Sequence, residues 1–225
     1  MSTAPLPVSI QVDGERTSGL WQRPGDARAI YVLAHGAGAG MTHREMEAVA
    51  NALCDAGIAV LRFNFLYMEH GGKRPDAPKL AHAAIRAAVA EATKLAPDLP
   101  LYAGGRSFGG RMTSQAQALE PLPNVRGLIF VGFPLHPAGK PSTDRAAHLS
   151  DVHIPMLFLQ GSRDALAELH LLRPVVEELG TRATLHVFEG ADHSFHVLKS
   201  SGTTDAKVRA ELCDAITSWI SDTAT

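Results

Sequence analysis

Apolar and polar positions along this chain follow two different periods, and the two take turns. Ala29 to Ala34 (AIYVLA) is an unbroken apolar run between polar residues, the pattern of a strand covered on both faces. Further strands are predicted at Ile58 to Phe65, from Leu101 up to Gly104, at Gly127 to Gly132 (GLIFVG), at Pro155 to Gly161 (PMLFLQG) and at Thr184 to Glu189. Between them the period changes. Arg44 to Ala56 carries Met46, Val49, Ala50, Leu53 and Cys54 at helical spacing, and Gly57 closes it. Helices are also predicted at about Lys79 to Leu95, after Ser107, at Leu166 to Leu179 and at Asp205 to Ile220. Near the start, Val8 to Val12 alternates and Gly19 to Gln22 follows, with Asp13-Gly14 as the turn between two edge strands. Strands alternating with helices imply an α/β fold, with a mostly parallel sheet and helices on both faces. Ligands of such sheets bind beyond the carboxyl ends of the strands. No repeat and no linker divides the chain, so residues 1–225 are read as one domain.

Composition narrows the partners. A net charge of -2 makes no case for nucleic acid, and no apolar run is long enough to span a membrane. The opening MSTAPLPVSIQVDG lacks the basic and apolar regions of a signal peptide. Cys54 and Cys213 lie far apart inside helical patterns and are expected to be buried reduced thiols, which suits a cytoplasmic protein.

The richest stretch is Leu101-Tyr102-Ala103-Gly104-Gly105-Arg106-Ser107-Phe108-Gly109-Gly110. It opens as a strand, ends as a helix and holds Gly-x-Ser-x-Gly between them. A serine hydroxyl becomes a nucleophile only when a base takes its proton, and it must stand clear of the backbone to reach a substrate. A tight strand-to-helix turn achieves that, provided the positions two before and two after the serine are small. Gly105 and Gly109 meet the requirement.

Two more reactive residues fall just past strand ends, Asp164 in QGSRD and His193 in GADH. Their roles follow from chemistry: His193 accepts the Ser107 proton and returns it to the leaving group, while Asp164 orients the imidazole and stabilises its charged form. Asp192 adjoins His193 and is expected to point elsewhere; Asp151 precedes its strand, at the wrong end of the sheet. His196, one turn after His193, is the rival base or a pocket residue. His193-Ser194-Phe195-His196 lacks carboxylate or thiolate partners at metal-ligand spacing, so neither metal nor cofactor is invoked. The oxyanion of acyl transfer needs two backbone donors, and the amides of Phe108 and Ala37 are the candidates. The rival reading of Gly36 to Gly40 as a dinucleotide loop fails, because Gly-x-Gly-x-x-Gly requires glycine where Met41 or His43 stands.

HGAGAG, RFNF, GGRSFGG, GFPLHPAGKP, QGSRD and GADHSF together resemble the α/β-hydrolase superfamily over nearly the whole chain. More narrowly, the sequence looks like the dienelactone hydrolase-like group, and within it is similar to hydrolases related to testis-expressed and non-specific-lethal-complex proteins. The resemblance implies a sheet of about seven or eight strands, with nucleophile, acid and base on Ser107, Asp164 and His193. Dienelactone hydrolases themselves carry cysteine where this chain has Ser107. The expected function is a serine hydrolase of small or medium carboxylic esters or thioesters, acting on a small-molecule acyl substrate through an acyl-enzyme. The alternative is a non-catalytic interaction module that keeps the fold, since the narrower group includes complex subunits. The connection Pro134 to His153 is too short for a large lid. Arg106, His136, Lys140 and Arg145 are candidates for the opening, where they would favour an anionic ester; the plainer reading packs Arg106 under the elbow and leaves the others solvated. Met68 and Phe195 are candidates for apolar walls or simple loop anchors.

Overall fold

A computed structural model describes residues 3–223, so the outermost two positions at each end of the expected domain, including the first two of the segment weighed as a signal peptide, lie outside it. Eight strands form one sheet: β1 (Leu6–Val12), β2 (Glu15–Gln22), β3 (Ala29–Ala34), β4 (Ile58–Phe63), β5 (Leu101–Arg106), β6 (Val125–Val131), β7 (Met156–Gly161) and β8 (Ala183–Phe188). Their order is β1-β2-β4-β3-β5-β6-β7-β8. β2 runs antiparallel to both β1 and β4; all other pairs are parallel. Among the described residues, six α-helices complete the fold: α1 (Arg44–Asp55), α2 (Leu66–Glu69), α3 (Pro78–Leu95), α4 (Phe108–Leu119), α5 (Leu169–Leu179) and α6 (Asp205–Thr223).

The apolar runs become the buried centre because parallel strands are covered on both sides. Every residue of β3 and β4 is buried. On one face, Tyr31, Leu33, Val60 and Tyr102 pack against Met46 and Leu53 of α1 and Ile216 and Trp219 of α6. On the other, Val32, Leu61, Ala103 and Phe130 pack against α3, α4 and α5 through Ile85, Met112 and Leu172. Cys54 and Cys213 are free and buried, on α1 and α6.

Strand order reverses at β3. The chain leaves β3 through α1 and returns as β4 on one side, while β5 lies on the other. The crevice at such a reversal is where this kind of sheet binds ligands. Here it is bordered by the residues after β3 and after β5, the HGAGAG and GGRSFGG segments.

Boundaries differ from expectation where side chains capture backbone amides. The fourth strand stops at Phe63: Asn64 N–H still reaches Ser18 C=O of β2 (3.0 Å), but Phe65 N–H is taken by the His35 side chain at Nε2 (3.1 Å). The turn helix α2 follows, just past the expected end of that strand, where the sequence pattern predicts no helix. α5 starts at Leu169 rather than Leu166, because Asp164 Oδ1 takes the Leu166 amide at 2.7 Å and holds a turn there. The connection after β6 is less irregular than its sequence suggests. It contains a 3₁₀ segment, Asp144–Asp151, whose Ala146 and Leu149 are buried.

Candidate active site

β5 enters the site through Gly104 and Gly105 and leaves it at Ser107, which has φ 49° and ψ -114°. A non-glycine residue in that region costs on the order of 1–3 kcal/mol, and such strain persists only where its surroundings impose it. The surroundings are tight. A Cβ on Gly105 would lie 2.2 Å from Ala34 O, and one on Gly109 would lie 2.6 Å from both Ala34 O and His35 O. These are the positions two before and two after the serine, so the small-residue demand is met by direct backbone approach of β3.

Ser107 Oγ is 2.8 Å from His193 Nε2, and His193 Nδ1 is 2.7 Å from Asp164 Oδ2. The three residues come from the ends of β5, β7 and β8. Asp164 is almost fully buried, whereas the His193 side chain retains 23% of its surface. Two loops meet to make this contact: a Cβ on Gly161 would lie 2.4 Å from Ala191 O. Gly132, at φ 71°, backs the imidazole, with its would-be Cβ 3.4 Å from His193 Cε1. The rival carboxylates are elsewhere engaged. Asp192 Oδ1 accepts from the amides of Ser194 (2.8 Å) and His196 (3.0 Å), and Asp151 ends the 3₁₀ segment before β7.

The loop after β3 stands against the nucleophile. A Cβ on Gly36 would be 3.7 Å from Ser107 Cβ. Ala37 is exposed, and Phe108 begins α4, where the first amides of a helix have no partner within it. Sequence reasoning missed what holds this loop. His35 is fully buried; its Nε2 accepts from Phe65 N–H, so its Nδ1 carries the proton and donates to Gly36 C=O at 2.8 Å. Burial pushes its pKa down to about 4, and it stays neutral. Tyr67 Oη accepts from Gly38 N–H at 2.9 Å, and Asn64 Oδ1 accepts from Met41 N–H at 2.9 Å. Arg62, also buried, donates to Met41 C=O at 3.1 Å and to Gln22 Oε1 at 2.9 Å. The visible signal was the RFNF stretch, whose buried arginine and mid-strand asparagine make no sense for a plain strand.

The pocket expectations divide. Arg106 is half-buried and lines a cavity of about 160 Å³ with Glu45, Phe195, His196 and Arg209. Burial lowers its pKa, opposed by the carboxylates of Glu45 and Asp192. His196 is no rival base: its Nδ1 sits 2.7 Å from Asp205, a hydrogen bond that raises its pKa. His136 is corrected. It is fully buried, with Nδ1 2.9 Å from Pro137 C=O and Nε2 against Glu168, so it offers no surface to an opening. Its residue type suggested a polar mouth, but the turn after β6 folds it inward. Among the described residues, no group of three His, Cys, Asp or Glu is placed to hold a metal ion. No helix there is long and apolar enough to cross a membrane.

A strained serine between β5 and α4, in reach of an imidazole on a loop after the last strand, defines an α/β hydrolase. The family profile described as alpha/beta hydrolase domain matches residues 27–221, and the chain belongs to that family. Its fold is similar to a dienelactone hydrolase from Anabaena variabilis, at TM-score 0.77 and 22% identity, covering 98% of this chain and 99% of that one. It is similar to an alpha-beta serine hydrolase homologue from Coxiella burnetii, at TM-score 0.76 and 20% identity, covering 96% and 97%. A lidless α/β serine hydrolase from Xanthomonas campestris aligns at TM-score 0.74 and 22% identity, covering 96% and 95%.

Proposed function

We propose that this hydrolase is a serine esterase or thioesterase of small and medium acyl compounds, working through Ser107, His193 and Asp164. The observation that carries the reading is the pair of contacts on one imidazole, 2.8 Å to Ser107 Oγ and 2.7 Å to Asp164 Oδ2. His193 Nδ1 donates to the carboxylate, which leaves the Nε2 lone pair facing the hydroxyl. Ser107 Oγ attacks the acyl carbonyl as His193 takes its proton. Charge gathers on the carbonyl oxygen, where the amides of Phe108 and Ala37 receive it. The imidazolium then protonates the departing alcohol or thiol, leaving an ester on Ser107. A water, deprotonated by the same nitrogen, reverses the sequence and frees the acid. The strained backbone at Ser107 and the backbone clearance around it support this role.

The small-to-medium range rests on the connection after β6, which packs Ala146 and Leu149 into the core and so builds no roof for a long acyl channel over the strand ends. The test is turnover of p-nitrophenyl acetate and butyrate by the wild type and Ser107→Ala. Loss of a member of such a triad lowers kcat by ~10⁴, so the variant should fall to background. Equal rates in the two proteins would end the assignment. A fluorophosphonate probe should label Ser107 in the wild type; an inert, folded wild type would favour an interaction module instead.

A further inference from the structure

We propose that Gln160 is a positioning residue for this chemistry, an inference that rests on the hydrolase reading above. Gln160 lies on β7 next to its last residue, Gly161, and is fully buried. Its carboxamide oxygen accepts from the Phe133 N–H at 3.0 Å. A peptide N–H only donates, so the oxygen must face Phe133 and the NH₂ must face the other way. There Nε2 donates to Asp164 Oδ2, the oxygen that also receives His193 Nδ1–H. The Leu166 amide holds Oδ1 at 2.7 Å.

This arrangement fixes three things together. Gln160 ties the carboxylate of Asp164 to the backbone just after β6, so the rotation of that carboxylate is set from β7 and β6 as well as by the Leu166 amide of its own loop. The amide cannot flip without leaving a buried N–H unpaired. With donors on both oxygens, the carboxylate is held as an acceptor, the form that keeps the His193 proton on Nδ1 and the lone pair on Nε2. A purely structural carboxamide also exists here for contrast. Gln117 Oε1 caps the Leu122 amide at 2.8 Å, remote from the site on α4. Gln160 performs that same capping with its oxygen, and its nitrogen then acts on Asp164.

The test compares Gln160→Met and Gln160→Glu with the wild type and Ser107→Ala. Gln160→Met removes the donor to Asp164; kcat should fall roughly 10²-fold, the scale of a slightly misplaced catalytic group, with KM within about 2-fold. Gln160→Glu keeps an acceptor for the Phe133 N–H, and can donate to Asp164 only while its carboxyl holds a proton. Two adjacent carboxylates share that proton, which raises one pKa. Its kcat should therefore approach the wild-type value at the lower end of the working pH range. It should decline toward the Met level as pH rises, along a descending limb that the wild type lacks. A structural role would not create that limb, and if Gln160→Met does not fold, the limb alone decides. A Gln160→Met kcat within 2-fold of wild type, or a Gln160→Glu profile parallel to wild type, overturns the proposal and leaves the hydrolase reading intact. A wild type inert to esters and to fluorophosphonate overturns both.

Discussion

At the scale of single residues, the site depends on two histidines with opposite duties. In the proposed mechanism His193 exchanges a proton, and it keeps part of its surface in solvent. His35 must never take one, because its Nε2 is the acceptor for the buried Phe65 amide. Protonation would set two donors facing each other. With its pKa pushed down from 6.5 to about 4, the folded state resists protonation that the unfolded chain accepts. The sign follows: the stability is complete above pH 6.5 and is lost as pH falls toward 4, by about 3 kcal/mol for this one group. His148, also pushed down to about 4, adds a loss in the same window. Urea unfolding of His35→Gln, which retains an acceptor for Phe65, should show a clearly smaller loss of stability between those pH values than the wild type, with the remainder left to His148 and His82. An unchanged slope would remove His35 from the account. Tyr67→Phe probes the same loop from its other anchor. Without the hydroxyl that accepts from Gly38 N–H, the loop that carries the proposed oxyanion donor loosens, and kcat should fall roughly 10-fold at nearly constant KM.

At the scale of elements, the requirement is that β3, β5 and α4 approach to backbone contact. Gly109 shows how little room is left, with Ala34 O and His35 O both 2.6 Å from where a Cβ would sit. Gly109→Ala must push α4 away from the end of β3, and Ser107 and the Phe108 amide go with it. Overpacking of this kind costs about 1–3 kcal/mol. Thermal unfolding should therefore show a lower Tm, and ester turnover should fall by more than the stability loss explains. A variant with wild-type Tm and rate would show that the contact relaxes freely. The GGRSFGG stretch made this geometry legible in the sequence, because glycines at fixed offsets from a serine have few other uses. The strands and helices were legible for a related reason: buried parallel strands are continuous apolar runs. What escaped was the segment from Asn64 to Glu69. Its first two backbone amides are bound by Ser18 and His35, partners 46 and 30 residues away, and no local period encodes such pairings. The inward turn of His136 was hidden in the same way, since its partners Leu166 and Glu168 belong to the loop after the following strand.

At the scale of the whole molecule, the position of the site follows from the reversal of strand order at β3, and its openness follows from what the chain does after β6. The connection from Gly132 to Pro155 is where a cover over Ser107 would be built. Here it is committed elsewhere. Its first residues, Phe133, Leu135 and His136, are buried, and its 3₁₀ segment packs on α4, where His148 Nε2 meets Ser114 Oγ at 2.7 Å. Ala146 and Leu149 anchor it to the α3–α5 face, so it cannot swing over the strand ends without exposing core. Large exposed apolar side chains are also few among the described residues, namely Leu6, Leu119 and Leu198. A lidded lipase opens on contact with a lipid surface, and its rate jumps when substrate passes its solubility limit. With no cover to open and no apolar rim to seat on a droplet, this hydrolase should show no jump. Rates measured with an ester series across that limit should follow one hyperbola and then level off as free substrate stops rising. Activity should also decline from acetyl and butyryl toward long acyl esters, since a connection held down in this way leaves nothing to enclose a long chain. A step in rate at the solubility limit would mean that the Gly132 to Pro155 connection moves after all, against the burial of Leu149 and the Ser114–His148 bond that hold it down.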